Sequence, residues 1–133
     1  MEYIGNYSEK YIFTSLYTLF TKEELKSEAV YTFATLNTST KVYWLSPQKS
    51  FLDKDWWIFL KNSEAKTLVV FHIPPGGISH GTLTPFHETQ LNIQILWRDF
   101  YWKDKQTGFK FKPFLVKIIT FDDLTSLLSN GVI

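Results

Sequence analysis

The chain has 133 residues, of which 44% are hydrophobic and 18% aromatic, with a formal net charge of +1 and no cysteine. A single domain of this size can bury a sizeable core, while the cysteine count excludes disulfides and thiolate metal sites and fits a reducing, cytoplasmic setting. The start, MEYIGNYSEKY, has an acid at position two and no apolar signal-peptide core, and the longest strictly apolar runs span about five residues, as from Trp56 to Leu60, so no membrane partner is expected.

The first twenty residues leave two readings open. YIFTSLYTLF is rich in strand formers, yet Tyr7, Tyr11, Leu16 and Leu19 can line one face of a helix. In TKEELKSE, Thr21 followed by Glu24 has the spacing of a capping box and predicts the start of a short helix. The hydrophobic period then changes to two. VYTFATL and KVYWLS flank NTST and read as a hairpin. Residues 56–61 and 67–73 form a second, stronger hairpin around a polar turn at residues 62–66. Trp56 and Trp57 are assigned to the core or to cross-strand pairs. Pro74 and Pro75 end that strand, because neither can donate to a ladder. In TQLNIQILW, Leu91, Ile93, Ile95 and Trp97 face one side, and Gln90, Asn92 and Gln94 the other. FYWKDKQTGFKFKPFLVKII predicts a further hairpin turning at residues 104–108, with Pro113 marking an edge or a break. TFDDLTSLLSNG closes the chain as a short helix, with Thr120 as cap, Asp123 in the first turn and Gly131 as stop.

These elements predict an α+β, mostly β fold: an open pseudobarrel of about seven strands with two short helices plugging its ends. Residues 1–133 are read as one domain. An N-terminal extension and short helix occupy 1–28, the pseudobarrel 29–119 and the C-terminal helix 120–131.

All three histidines fall in HIPPGGISHGTLTPFHE, residues 72–88. His72, His80 and His87, with Glu88, offer donors to zinc, but their spacing matches no zinc motif. No Gly-x-Ser-x-Gly accompanies them, and Gly76 and Gly77 open no strand–glycine–helix unit that would cradle a phosphate. No catalytic residue, metal or cofactor is therefore assigned. The stretch reads as a long connection between strands, with His80 and His87 placed to touch a ligand.

Charge is uneven. Six bases (Arg98, Lys103, Lys105, Lys110, Lys112 and Lys117) stand among two acids (Asp99 and Asp104), a net of +4 that leaves −3 for the rest of the chain. Such a patch suits a polyanion, although a solvated lysine-rich hairpin accounts for it equally well. The amides of Asn92 and Gln94 have the donor–acceptor pattern that pairs with adenine in the major groove. Arg98, the one arginine, has the planar fork that a guanine contact needs. Thr38 and Thr40 can bond phosphates or bases, and Lys41, Lys103, Lys105 and Lys110 can hold phosphates. Tyr101 and Trp102 can stack on a base or wedge a base step, or else pack in the core.

Two stretches carry a family likeness: DWWIFLKNSEAKTLVVFHIP as a central hairpin, and FYWKDKQTG as an aromatic-Trp-polar arm ending in Thr-Gly. Through them residues 29–119 resemble the B-three-like pseudobarrel DNA-binding domains that serve as specificity modules of some restriction endonucleases, such as the LlaJI-type N-terminal domain. The abundance of Lys, Asn, Phe and Thr suits a bacterial restriction system. The resemblance implies two loops that straddle the barrel and enter the major groove, here residues 37–41 and 98–112. The expected function is a double-stranded DNA recognition module that does no chemistry itself. The alternative is a protein-binding module, such as an immunity or anti-defence protein, motivated by the aromatic content and near-neutral charge. A small metal-dependent enzyme using the three histidines is the third reading.

Overall fold

The computed structural model describes residues 7–129. Ser8 caps α1 (Glu9–Thr21) by accepting the Tyr11 backbone N–H at 3.1 Å, and Lys22 ends it in the left-handed conformation, donating its N–H to the Thr18 carbonyl. The helical option for the N-terminal stretch is the right one, but the capping box is not. Thr21 is the last residue of α1, its hydroxyl donating back to the Tyr17 carbonyl, and residues 22–28 form no helix. The buried face is Ile12, Phe13, Leu16 and Tyr17; Leu16 alone of the expected stripe is fully buried.

Seven strands follow: β1 (Ala29–Thr35), β2 (Tyr43–Leu45), β3 (Asp55–Asn62), β4 (Thr67–Ile73), β5 (Ile93–Arg98), β6 (Tyr101–Asp104) and β7 (Leu115–Thr120). The helix α2 (Phe121–Ser129) ends the described chain. The larger sheet has the order β1-β3-β4-β7, with β1 parallel to β3 and the other pairs antiparallel. The smaller has the antiparallel order β2-β5-β6. The expected α+β, mostly β fold of seven strands and two helices is thus present, built as two open sheets and not as a closed barrel.

The sequence of β3 explains the layering. Trp56, Ile58 and Leu60 face the smaller sheet, while Trp57 and Phe59 face the other way, onto α1 and α2. Strand β4 repeats this two-sided pattern, with Val69, Phe71 and Ile73 on one side and Leu68 and Val70 on the other. A strand that is apolar on both faces needs two covers. The helices therefore form a layer over the larger sheet and do not plug its ends. Phe121, Leu124 and Leu128 of α2 complete that layer.

The expected β3–β4 hairpin is present, paired from Trp56 opposite Ile73 to Asn62 opposite Thr67, so that Asn62, expected in the turn, ends the strand. The two other expected hairpins are corners between sheets. The chain turns between Asn37 and Val42, which form an isolated bridge, but β1 and β2 belong to different sheets. A second turn ends at Gly108 (φ 76) and is followed by only a Lys103–Lys110 bridge. Pro113 then sits in a 3-10 turn (Lys112–Phe114), and the chain crosses to the larger sheet as β7. Thr120 caps α2 as expected, its hydroxyl accepting the Asp123 N–H at 3.1 Å, whereas Gly131 lies outside the described residues. Among the described residues no helix is long and apolar enough to cross a membrane.

Candidate functional site

The histidine-bearing connection between β4 and β5 is anchored to the core. Ile78 and Leu83 are buried among the residues that join the two sheets. The Gly76 N–H donates to the Leu52 carbonyl at 3.0 Å. Gly77 sits at a close approach, since a Cβ there would stand 3.0 Å from the Pro74 carbonyl oxygen and 3.2 Å from the Phe114 ring, so that those neighbours would have to give by a few tenths of an ångström. The imidazoles are dispersed. His72 bonds Asp55 and stacks on Trp57 with ring centroids 4.3 Å apart; His80 bonds Asp53 at 2.9 Å; His87 lies against Phe86. Among the described residues no group of three or more His, Cys, Asp or Glu side chains could hold a metal ion. His80 lines a small cavity of about 200 Å³ with Leu83 and Leu91, while His87 is exposed elsewhere on the loop.

The basic residues collect on the smaller sheet. Cross-strand pairs alternate between its two faces. Tyr43 opposite Ile95, Ile95 opposite Asp104 and Trp97 opposite Trp102 point toward the larger sheet. Trp44 opposite Gln94, Leu96 opposite Lys103 and Arg98 opposite Tyr101 point away from it. On that face Trp44 is 62% exposed, whereas Leu96 is buried. Lys110, bridged to Lys103, lies over the Tyr101 ring at 4.1 Å. The Lys105 N–H continues the row by donating to the Gln94 carbonyl at 2.7 Å. Lys103 reaches Asp99 at 3.5 Å, but Arg98, Lys105 and Lys110 make no ion pair among the described residues.

Strands β5 and β6 are joined by a two-residue turn, Asp99–Phe100, with φ of 54° and 68°. Positive φ at both central residues is the type I′ arrangement, whose twist matches the flanking strands. It carries Phe100 into solvent at 85% exposure. Residues 37–41 turn at the same end of the molecule, because Lys41 and Trp97 line one cleft there. Asn37 shapes that turn by accepting the Ser39 and Thr40 N–H groups on its side chain. Lys41 (φ 60) crosses to Glu64 at 2.8 Å.

That cleft, about 460 Å³, opens between the inner faces of the two sheets. Tyr43, Trp97 and Trp102 wall it, Val69 and Ile118 supply apolar surface, and Lys41, Asn62, Glu64 and Thr67 stand around it. Tyr43 is buried, and this raises its phenol above the usual pKa; the Glu64 charge adds to the rise and a hydrogen bond with Asn62 opposes it.

Of the residues expected to bind DNA, the structure brings Gln94, Arg98, Tyr101, Lys103, Lys105 and Lys110 onto or beside one face, and sets Thr38, Thr40 and Lys41 near its Arg98 end. Two fall elsewhere. Asn92 precedes β5 and lies about 20 Å along the strand from Arg98, at a rise of about 3.3 Å per residue. Trp102 turns inward, packing against Tyr43, Phe71 and Trp97. Sequence reasoning missed Trp44, Glu64 and Phe100. The alternation of KVYWLS carried the signal for Trp44, since Tyr43 and Leu45 are the buried pair. Trp97 does share the inner face with Ile93 and Ile95, but it stands beyond the core and is 54% exposed. No protein-family model, curated protein or solved structure matches this chain, so its own geometry carries the functional reading.

Proposed function

We propose that the chain is a DNA-recognition module that binds double-stranded DNA with the β5–β6 end of its smaller sheet and does no chemistry itself. The observation that carries this reading is the outer face on which Arg98, Lys103 and Lys110 flank exposed Tyr101 and Trp44, with Asp99 as the acid among them. A two-stranded ribbon fits a major groove about 12 Å wide. The β5–β6 ribbon would enter turn-first, with Arg98 reading a base and Lys103, Lys105 and Lys110 on phosphates. Residues 37–41 would flank it from the same end, with Thr38 and Thr40 toward the backbone. Cytoplasmic placement and a role in a bacterial restriction system belong to the same proposal.

The test is binding to random duplex pools across a salt series. Log affinity should fall linearly with log salt, and replacing Lys103, Lys105 and Lys110 with alanine should lower that slope by about 2–3. A flat salt dependence, or tighter binding to single strands than to duplex, overturns the proposal. A protein-binding module is the second reading, favoured by the exposure of Trp44, Trp97 and Phe100 together. A stoichiometric protein partner recovered without nucleic acid would select it.

A further inference from the structure

We propose that the cleft between the two sheets is a binding site for a methylated ammonium group. This does not rest on the DNA-recognition reading. Three aromatic rings meet there from three strands: Tyr43 from β2, Trp97 from β5 and Trp102 from β6. Trp102 makes an angle of 54° with Trp97 at a centroid separation of 5.3 Å, and of 55° with Tyr43 at 6.1 Å. Trp97 and Trp102 are inclined to one another and both line the cleft, Trp102 partly buried, while Tyr43 lines it from within the core at 2% exposure. Trp97 in particular is half exposed although it belongs to the inner face of the sheet. The volume, about 460 Å³, is in the range of small-ligand sites.

Charge complementarity selects the occupant. Aromatic faces are the negative ends of ring quadrupoles, and Glu64 adds a carboxylate to the same cleft. Among the described residues the one cation lining it is Lys41, and its ammonium goes to Glu64 at 2.8 Å and over none of the three rings. A primary ammonium is compact and strongly hydrated, so it keeps to the wet rim. A methylated ammonium spreads its charge over apolar methyl groups, which lose little on leaving water and gain cation–π contact. Lys41 is therefore a weak latch. Its pair with Glu64 is exposed, and exposed pairs contribute little. An entering cation can take over the carboxylate while its methyl groups reach the rings.

The test titrates the intact protein with tetramethylammonium chloride at constant ionic strength, following the tryptophan indole N–H resonances by NMR. The Trp97 and Trp102 signals should shift saturably while that of buried Trp57 does not. The neutral isostere 3,3-dimethylbutanol should bind at least about tenfold more weakly than choline, because it lacks the charge. Glu64→Gln should weaken binding several-fold, and Lys41→Ala should strengthen it. Trp97→Ala, read at the Trp102 signal, should remove it; Glu64→Gln, a surface change, serves if that variant does not fold. Choline and a peptide carrying trimethyllysine then separate a free ligand from a modified side chain, and binding of either supports the site. No saturable shift, equal binding of the neutral isostere, or an unchanged Glu64→Gln affinity overturns the proposal.

Discussion

Asp104 ties the smaller sheet to its own turn through Gln94: its carboxylate accepts the Gln94 backbone N–H at 2.9 Å. The other carboxylate oxygen accepts the Thr107 N–H at 3.1 Å and the Thr107 hydroxyl at 2.6 Å. The side chain is fully buried and faces inward, opposite Ile95. Removing it orphans donors that water reaches poorly, and an orphaned buried donor costs about 1–3 kcal/mol. Asp104→Ala should therefore lower stability by about 2–4 kcal/mol in urea unfolding. Asp104→Asn should fall between, since it can keep the Gln94 bond while losing an acceptor for Thr107. Equal stability of all three proteins would contradict this role.

Phe100 should trade stability against binding. A non-glycine residue in the left-handed region costs about 1–2 kcal/mol, and a ring that is almost wholly in solvent gives little back. Asp-Gly is a preferred sequence for this turn type. Phe100→Gly is expected to stabilise the protein by about 1 kcal/mol. Strain kept at an exposed aromatic is the pattern of a functional position. The same variant should bind its partner, duplex DNA on the reading above, less tightly. Thermal melts and a binding titration on one preparation check both halves.

The parts of this fold that could be read from sequence are those where pattern and local chemistry agree. The β3–β4 hairpin was legible because apolar residues fill both of its strands and a polar turn joins them, and the α2 cap because Thr120 precedes an amphipathic run. The N-terminal helix stayed ambiguous because Tyr11, Ile12, Phe13 and Tyr17 also suit strands, and packing on Trp57 and Phe59 decides the matter. Which sheet a strand joins was not legible. β1 and β7 pair with β3 and β4 across long stretches of chain, and no local signal encodes that choice. The basic face was visible as a charge run, since its bases lie close together in sequence. The cleft was not, because Tyr43, Glu64 and Trp97 meet only through tertiary structure.

The histidines should separate cleanly by burial. His72 stacks on Trp57 and satisfies Asp55, whose carboxylate is nearly buried. His72→Ala leaves that acceptor unpaired and removes ring contact, for a loss of about 2–3 kcal/mol. His80 and Asp53 form an exposed pair, so His80→Ala should change stability by no more than about 0.5 kcal/mol. Chemical denaturation of the two variants side by side distinguishes them, and similar losses would mean that His80 is held by more than this pair.

Tyr43 sets an alkaline limit. Burial raises its phenol above the ordinary value, and the neighbouring Glu64 charge adds to the rise. Its folded pKa thus exceeds its unfolded one, so the folded state favours the neutral phenol. The corresponding stability is fully present below the unfolded pKa of about 10 and is lost as pH rises through the folded pKa. Tyr43→Phe should change stability by no more than about 1 kcal/mol at neutral pH, since the phenol's polar contact with Asn62 is all that is lost there. It should also show a shallower fall in stability above about pH 10, because one phenol no longer titrates. Glu64→Gln should make that fall smaller and end it at lower pH, since removing the nearby negative charge makes the phenolate less costly to form in the folded protein and so brings the folded pKa down toward the unfolded one. Urea midpoints of the three proteins between neutral and strongly alkaline pH isolate Tyr43 from the other tyrosines, which all three share. Parallel curves would assign the alkaline limit to another group.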